Sequence, residues 1–542
     1  MEAIGMKKIP LGIQTLREII QEGYVYVDKT VYIYNLLNDA KYYFLSRPRR
    51  FGKSLLLDTI AEVFNGNGEL FKGLYIHDSG YAFPRHPVLR LDMSSIANKS
   101  PDALEESLST ALRMRAAEEG IAVTGSFPSD IFQYLIMSMH KKYGQRVVVL
   151  IDEYDKPILD HLDDIDTAEA NRKVIRGFYG ILKAMDPHLR MTFITGVSKF
   201  TKTSVFSELN NLTDITMMPE YSNICGVTTD DLTKYFAEHI ENLQQLDSLK
   251  HYGNIQDGIL EWYDGYSWDG ITRVINPYSL LSFLIHKRFS AFWYASGTPN
   301  FLINLIREKP TGFLELRDLE VTERTLDSFD IRKMSIVPLL FQTGYLTVEE
   351  KSRRGNTESY LLKIPNLEVH DAFYLNLVTD LTENDDSFTE SSYWRIKDAL
   401  QAGDLNSVLA VLKRLFASIP YQLHVKNEAY YHSIFYAFLS LLGFDTSVEV
   451  SVAGGRIDAV LELVNTVYIM ELKYEDGSTL LSGGGAAEDK KRKLFDKALY
   501  EGMKQIESKG YANKYTGSGK VIYKAVFAFL GRDEIEMRVE VL

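Results

Sequence analysis

Two carboxylates and a lysine near the C-terminus have a spacing that suits metal-dependent chemistry. Glu471 and Lys473 are two residues apart in an apolar run, so they share one face of a predicted strand. A hairpin with Asn465-Thr466 as its two-residue turn is expected to place Asp458 opposite Lys473. Glu471 is then the diagonal neighbour of Asp458, with Cβ atoms roughly 7 Å apart. Two carboxylates at that separation can share a divalent cation, which predicts a phosphodiester-cleaving site.

Phosphodiester cleavage assigns a role to each of these side chains. The reaction needs an activated water and a stabilised phosphate, and Mg²⁺ or Mn²⁺ held by hard oxygen ligands serves both needs. Asp458 and Glu471 are the predicted metal ligands, and Lys473 is expected to orient the water or neutralise charge on the phosphate. One alternative stays open, in which Asp458 and Lys473 form an ordinary cross-strand salt bridge and Glu471 is a surface residue.

A second candidate site is the basic stretch 46–54, which reads SRPRRFGKS between a predicted strand and a predicted helix. That order is typical of a phosphate-binding loop, in which Lys53 reaches the β- and γ-phosphates and Ser54 binds Mg²⁺. Backbone N–H groups at the helix N-terminus are expected to hold phosphate oxygens. These N–H groups belong to Arg49, Arg50, Phe51, Gly52, Lys53 and Ser54. Arg47 stands where the usual first glycine would be, so a plain basic patch is the alternative.

A continuous apolar strand further along the chain ends in two acidic residues that complete a nucleotide site. Asp152 is expected to hold the hydration shell of Mg²⁺, and Glu153 to polarise the attacking water. Thr195, at the end of another predicted strand, is a candidate for sensing the γ-phosphate, with Ser198 and Lys199 after it. The alternative for Asp152 is a helix cap. The phosphate-binding loop and this acidic strand end together predict nucleotide binding and hydrolysis.

The elements that must position these residues follow two patterns. Strands alternate with helices in the first half, which predicts an α/β fold with a doubly wound parallel sheet. From about residue 230 the pattern is mostly helical, and two short predicted strands suggest the hairpin of a winged-helix-like module. A final α/β unit is expected to begin near residue 421. The predicted domains are 1–285, 286–420 and 421–542.

Periodicity and turn residues locate several individual elements. The predicted strands include 88–92, 146–152 and 190–195, and the hairpin strands 346–349 and 359–364. The predicted helices include 55–64, 101–119, 274–287, 299–307 and 331–341, and a largely helical stretch 371–416 that is broken at 382–390. The glycine-rich stretch 482–488 is interpreted as a flexible insertion.

Composition excludes several classes of protein. The single cysteine, Cys225, excludes an intramolecular disulfide and a cysteine-based zinc site. No apolar stretch approaches the roughly 20 residues of a membrane span, and the N-terminus lacks a secretory h-region, so a cytoplasmic protein is expected. The net charge of −13 argues against a protein that coats nucleic acid over its whole surface. Contact with nucleic acid is expected from local patches such as 47–50 or 490–493, for which a solvated face is the alternative.

The N-terminal half resembles the AAA-ATPase-like family, in which an arginine-rich loop replaces the usual glycine-led loop. The resemblance rests on YVDKT at 26–30, RPRRFGKS at 47–54, VLIDEYDKP at 149–157, TGVSKF at 195–200, NNL at 210–212, YDGY at 263–266 and NPYS at 276–279.

The stretch from about 425 to 535 looks like a PD-(D/E)XK nuclease-superfamily domain. Asp458 matches the metal aspartate of that superfamily, and Glu471 with Lys473 matches its E-x-K element. The resemblance also implies an upstream glutamate, for which Glu428 fits, and a downstream glutamine, for which Gln505 fits. Glu428 is expected to hold a metal-bound water or a second ion, and Gln505 to position Lys473 or the substrate.

The sequence as a whole therefore predicts a two-enzyme chain. An ATP- and Mg²⁺-binding N-terminal ATPase and the helical middle are expected to control a nuclease that uses Mg²⁺ or Mn²⁺. The expected partner is nucleic acid, with DNA favoured over RNA, and a homo-oligomer is left open. The rival hypothesis is a nucleotide-switched interaction protein whose nuclease-like domain binds but does not cut. A third is an ATPase whose C-terminal domain is structural.

Overall fold

The computed structural model describes residues 6–199, 209, 211–293, 319–326, 336–382, 385–418, 435, 447–453, 456–463, 465–475, 484–531 and 534–542. The chain divides into two compact units. The first comprises Met1–Phe301 with Leu316–Glu368, and the second comprises Leu302–Glu315 with Val369–Leu542. The predicted helix 299–307 and Glu428 lie outside the described residues.

The first unit contains a five-stranded parallel sheet with the order β2-β3-β4-β1-β5. Its strands are β1 Tyr42–Ser46, β2 Val88–Asp92, β3 Val147–Asp152, β4 Leu189–Gly196 and β5 Thr213–Asp214. Every residue of β3 is buried, and its run of valine, leucine and isoleucine suits a strand that is covered on both faces. The predicted α/β class with a parallel sheet is confirmed.

The helices of this part of the chain begin and end where the sequence carries caps and breakers. Ser100 accepts a hydrogen bond from the Ala103 N–H, and Pro101 opens the helix that follows. The helices are α1 Leu16–Gln21, α2 Thr30–Asn38, α3 Lys53–Phe64, α4 Tyr75–Asp78, α5 Pro101–Glu118, α6 Pro128–Tyr143, α7 Lys156–Leu159, α8 Ile165–Ala184, α9 Thr229–Gln244, α10 Ile255–Tyr263 and α11 Pro277–His286. Within the described ranges, none of the chain's helices combines the length and the apolar character needed to cross a bilayer.

The rest of the first unit forms a small winged-helix-like module. Its three-stranded sheet has the order β6-β8-β7, from β6 Leu319–Thr322, β7 Thr347–Arg354 and β8 Thr357–Lys363. In the described residues between β6 and β7, the chain forms the helices α12 Glu323–Leu326 and α13 Ile336–Thr343. The hairpin was predicted, but its strands are longer than expected.

The second unit begins with three helices and ends in a mixed sheet. The helices are α14 Leu367–Thr382, which starts in the first unit, α15 Asp386–Ala402 and α16 Leu405–Ala417. The sheet order is β13-β12-β11-β10-β9, from β9 Ser447–Ala453, β10 Arg456–Glu462, β11 Thr466–Glu475, β12 Val521–Leu530 and β13 Glu534–Val541. The long helix α17 Gly484–Lys509 lies between β11 and β12 in the chain.

Helix α17 packs directly on this sheet. Phe495, Leu499, Met503 and Ile506 share an apolar cluster with residues of β11 and β12. A Cβ atom on Gly502 would lie 2.5 Å from the Val526 side chain, so the glycine permits the close approach. The helix begins inside the glycine run that was predicted to be a flexible insertion, so that prediction was wrong from Gly484 onward.

Candidate active sites

The phosphate-binding loop lies between the end of β1 and the start of α3. Gly52 precedes the first helical residue and has φ 89°, while Arg50 has φ 69°. Left-handed residues in a loop turn successive backbone N–H groups toward one side, which creates a concavity for anions. The N-terminus of α3 adds its partial positive charge at the same place.

Lys53 is buried inside this loop, where its Nζ donates hydrogen bonds of 3.0 Å to the carbonyl oxygens of both Arg47 and Pro48. Burial lowers the pKa of Lys53, and the carboxylates of Asp152 and Glu153 act in the opposite direction. The ammonium group is therefore held in place by the main chain of its own loop.

Arg47 connects the loop to neighbouring segments of the chain through its buried side chain. Its side chain is fully buried, and its guanidinium lies 3.8 Å from the centre of the Trp268 ring. It donates hydrogen bonds of 2.8 to 3.4 Å to the carbonyl oxygens of Ser46, Thr216, Tyr221 and Ser222. Burial lowers the pKa of Arg47 to about 10. The interpretation of 47–50 as a basic surface patch was wrong for Arg47, because main-chain carbonyls distant in sequence bury its charge.

Two acidic residues lie where β3 ends, with Asp152 as its last residue and Glu153 directly after it. Asp152 is buried, and its Oδ1 accepts hydrogen bonds from Thr195 Oγ1 at 2.6 Å and from the Glu153 N–H at 3.1 Å. Glu153 has φ 50°, an unusual backbone conformation that is found most often at functional positions. Burial raises the pKa of Glu153, and Lys53 partly offsets that rise. A glutamate with a raised pKa is suited to accept a proton from water near neutral pH.

A buried carboxylate that the sequence did not single out shapes the neighbouring turn. Asp155 Oδ2 accepts hydrogen bonds from the Val197 N–H, the Ser198 N–H and the Ser198 hydroxyl, at 3.0, 2.5 and 2.6 Å. A Cβ atom on Gly196 would lie 2.5 Å from the Tyr154 ring, so this position requires glycine. The acidic run after β3 was the available signal, but it does not show which carboxylate points to the nucleotide site.

Ser198 and Lys199 were predicted to help sense the γ-phosphate. The Ser198 hydroxyl is instead bonded to Asp155, and Lys199 Nζ lies 2.7 Å from Asp214. The backbone N–H of Lys199 donates to Gln342 Oε1 of α13 at 2.8 Å. The turn after β4 is thus tied both to the sheet and to the winged-helix-like module.

The loop opens into a cavity of about 450 Å³, a size that is usual for small-molecule sites. The lining combines polar groups of the candidate nucleotide site with apolar side chains. The polar lining includes Arg49, Arg50, Gly52, Lys53, Ser54 and Glu153, and the apolar lining includes Leu11, Ile13, Val25, Ile224, Val227, Phe236 and Leu281. This combination suits a ligand that has both a phosphate chain and a flat apolar ring.

The second candidate site lies in the second unit, where β11 places Glu471 and Lys473 on one face. Lys473 Nζ donates hydrogen bonds to Glu471 Oε1 at 2.8 Å and to Gln505 Oε1 of α17 at 2.5 Å. The structure therefore brings together three of the residues that sequence analysis proposed for the nuclease site. Glu471 and Lys473 are buried, and the Gln505 side chain reaches them from the helix.

The remaining carboxylate oxygen of Glu471 makes this site fit a cation. Glu471 is 1% exposed, and its Oε2 accepts no hydrogen bond from the described residues. A buried anionic oxygen without a donor is costly unless a cation or a donor meets it. No group of three or more His, Cys, Asp or Glu side chains with the geometry of a metal site occurs among the described residues. The side chain of Asp458 is not among those described, but its main chain lies directly opposite Glu471.

The hairpin register differs from the predicted one by two residues. Asp458 pairs with Glu471 rather than with Lys473, and the last hydrogen bond joins the Leu463 N–H to the Thr466 oxygen at 2.7 Å. The turn therefore lies one residue earlier than Asn465-Thr466. Thr466, a β-branched residue, begins β11 instead of closing the turn. A register shift of two residues leaves each position on the expected face of the hairpin and makes Asp458 and Glu471 directly opposite residues of the two strands.

Comparisons with known proteins agree with this division of the chain. A model described as a predicted AAA-ATPase matches residues 10–206, and a PD-(D/E)XK nuclease-superfamily model matches residues 426–538. An uncharacterized protein from the vnfD 5′ region of Azotobacter chroococcum mcd 1 is 37% identical over 523 residues, which cover 95% of each chain. This chain belongs to the AAA-ATPase-like family with a C-terminal PD-(D/E)XK nuclease-superfamily domain. The predicted family resemblance is thereby confirmed.

Two origin-recognition proteins are among the solved structures that match this chain, both with low TM-scores. The ORC2 protein of Aeropyrum pernix, in ADPNP and ADP complexes, has a TM-score of 0.26 at 11% identity, covering 67% of this chain and 98% of its own. The Drosophila ORC bound to GC-rich DNA and Cdc6 has a TM-score of 0.21 at 11% identity, covering 77% of this chain and 60% of its own.

Proposed function

We propose that this chain binds and hydrolyses ATP in its first unit and thereby controls a metal-dependent nucleic-acid phosphodiesterase in its second. The observation that carries the nuclease half is the buried Glu471 Oε2, which accepts no hydrogen bond from the described residues and lies beside a lysine that Glu471 and Gln505 both hold. The ATPase half is supported by the cavity, whose lining includes the buried Lys53.

In the ATPase site, different residues bind the phosphates, hold the metal ion and accept the proton. The loop N–H groups and Lys53 bind the phosphates, and Ser54 and Asp152 hold the Mg²⁺ that accompanies ATP. Thr195 fixes the orientation of Asp152 through its 2.6 Å hydrogen bond. Glu153 accepts a proton from the attacking water, a role that its raised pKa favours.

In the nuclease site, Glu471 and Asp458 hold the metal ion, and Glu428 is the proposed third acidic residue. A bound Mg²⁺ or Mn²⁺ supplies Lewis-acid stabilisation of the phosphate and lowers the pKa of water. Lys473 donates to a phosphate oxygen and stabilises the charge that grows there. Gln505 keeps the lysine in position through its hydrogen bond to Nζ.

A cleavage assay with Mg²⁺ or Mn²⁺ tests the nuclease half. Single- and double-stranded DNA and RNA are the substrates, and we expect DNA to be cut in preference to RNA. Asp458→Asn and Lys473→Ala should each lower the cleavage rate by at least about a hundredfold. Lys520→Ala is the matched control, because Lys520 pairs with Glu462 at 2.6 Å near the other end of the hairpin. Cleavage that Lys473→Ala leaves unchanged would refute the assignment.

Metal binding is measured separately by thermal unfolding with and without Mn²⁺. Mn²⁺ should raise the unfolding temperature of the wild type more than that of Asp458→Asn, because binding to the folded state stabilises it. A chain that binds Mn²⁺ in this way but cuts none of the substrates would instead be a nucleotide-switched interaction protein.

Control by ATP is tested with Lys53→Ala. The variant should lose ATP binding, and its nuclease activity should no longer respond to ATP. If wild-type cleavage is the same with and without ATP, the proposed control is wrong even though both sites are active. If Lys473→Ala leaves the chain's function intact, the C-terminal domain is structural.

A further inference from the structure

The three arginines of the phosphate-binding loop have different surroundings. Arg47 is fully buried and bonded to main-chain carbonyl oxygens. Arg49 and Arg50 are exposed, and both line the cavity next to Lys53. Arg47 therefore stabilises the conformation of the loop, whereas the charges of Arg49 and Arg50 are accessible to a ligand in the cavity.

Arg49 combines a fixed main chain with an exposed side chain. Its carbonyl oxygen accepts a hydrogen bond from the indole Nε1 of Trp293 at 3.0 Å. Trp293 is buried, and its own backbone N–H donates to Glu368 Oε1 at 2.7 Å. A side chain that begins from a fixed main-chain position loses less freedom when it binds a ligand.

The exposed Arg49 side chain lines the same cavity as Glu153, Lys53 and Ser54. A ligand that fills this cavity and reaches Lys53 therefore has both Arg49 and Glu153 in its surroundings. The electrostatics agree with this placement, because the charge of Arg49 acts against the rise that burial causes in the pKa of Glu153.

Arg50 has an aromatic contact in the same cavity. Its guanidinium carbon lies 4.7 Å from the centre of the Tyr278 ring, on α11, and Tyr278 also lines the cavity. The two adjacent arginines therefore differ in their contacts, because Arg50 lies over an aromatic ring whereas the charge of Arg49 acts on Glu153.

We propose that Arg49 contacts the terminal phosphate of ATP and supplies the positive charge for hydrolysis from within the same chain. This inference rests on the proposed function of the site as an ATPase. The water oxygen forms the new bond to the γ-phosphorus, and Glu153 takes the water proton. The bond from the γ-phosphorus to the bridging oxygen breaks, and its electron pair leaves with ADP. Arg49 stays protonated and donates hydrogen bonds to the oxygens on which charge collects.

The first test compares affinities for ATP and ADP in the full chain by isothermal titration calorimetry. Arg49→Ala should weaken ATP binding about tenfold more than ADP binding, as expected for one lost hydrogen bond to a charged group. Arg50→Gly is the matched control, since it removes the same charge and tolerates a positive φ. It should weaken both nucleotides by the same factor. An unchanged ratio of ATP to ADP affinity in Arg49→Ala would overturn the proposal.

Steady-state hydrolysis gives a second readout. Arg49→Ala should lower kcat on the order of a thousandfold with a smaller change in KM, and Arg49→Lys should recover part of kcat. A wild type that binds no nucleotide would refute the proposed ATPase itself. A wild type that binds ATP without hydrolysing it would refute the hydrolytic step, while the affinity ratio still decides whether Arg49 touches the terminal phosphate.

A mixing experiment separates action within one chain from action between chains. Arg49→Ala is mixed with Lys53→Ala, which cannot bind nucleotide but carries an intact Arg49. If Arg49 acts within its own chain, the mixture stays as inactive as its two components. Recovered hydrolysis would mean that Arg49 of one copy serves the site of another, and would overturn the proposal.

Discussion

Glu368 is a buried carboxyl group whose titration should be visible in the stability of the first unit. It lies at the start of α14, where Oε2 accepts from the Ser279 hydroxyl at 2.6 Å and Oε1 accepts from the Trp293 N–H at 2.7 Å. Burial raises the pKa of Glu368 to about 7 despite these two donors. Glu368→Gln is the informative change, because the amide keeps the shape but does not titrate. Its oxygen can still accept from the Trp293 N–H, and its NH2 group can donate to the Ser279 hydroxyl oxygen, which reverses the direction of that hydrogen bond.

The direction of the effect follows from proton binding. Below about pH 4.5 the carboxyl is protonated in both the folded and the unfolded chain, so the two variants should differ little. Between about pH 4.5 and 7 the folded chain retains a proton that the unfolded chain has lost, and the stability of the wild type falls as pH rises. A rise in pKa from 4.5 to about 7 corresponds to about 3 kcal/mol.

Urea unfolding of both variants, followed by tryptophan fluorescence between pH 4.5 and 8, measures this difference. Glu368→Gln should gain stability relative to the wild type as pH rises, reaching about 3 kcal/mol above pH 7. Glu238→Gln is the control, because Glu238 is an exposed glutamate of α9 in the same unit. Parallel pH profiles for the wild type and Glu368→Gln would refute the reasoning.

Three further changes test particular contacts. Gly196→Ala places a methyl group 2.5 Å from the Tyr154 ring, so we expect a loss of stability of about 2 kcal/mol or more in thermal unfolding, and an unchanged transition would contradict the packing. Gln505→Leu removes one acceptor of Lys473 Nζ and leaves Glu471 Oε1 in place, and we expect a tenfold or greater fall in nuclease kcat with little change in substrate affinity. Glu153→Gln should keep ATP binding in calorimetry but lower ATP hydrolysis at least a hundredfold, whereas equal losses of both would assign the residue to binding.

The sequence predicted those parts of the fold that depend on local pattern. The strand Val88–Asp92 was predicted at both ends, and α5 was predicted to within one residue, because periodicity and caps are local signals. The hairpin register was missed by two residues, because Thr466 belongs to β11 rather than to the turn. Helix α17 begins within a glycine run although glycine has a low helix propensity, and its later turns pack on the sheet.

Site residues could be predicted where they have a fixed spacing in the sequence. Contacts between residues that are far apart in the sequence were not predicted. Glu471 and Lys473 are two residues apart on one strand, and the structure keeps them together with Gln505. Glu368 and Trp293 carry no motif, and Trp293 is linked to the loop through a hydrogen bond to a main-chain carbonyl. Sequence patterns do not contain such contacts, because any residue can supply a carbonyl oxygen.

The buried guanidinium behind the loop also constrains how this chain can evolve. Replacing Arg47 with glycine would make the stretch conform more closely to a glycine-led loop. It would also leave a void beneath Trp268 and remove the donor for the carbonyl oxygens of Thr216 and Tyr221. A single substitution of Arg47 by glycine would therefore destabilise the chain, so the change to a glycine-led loop requires compensating substitutions elsewhere.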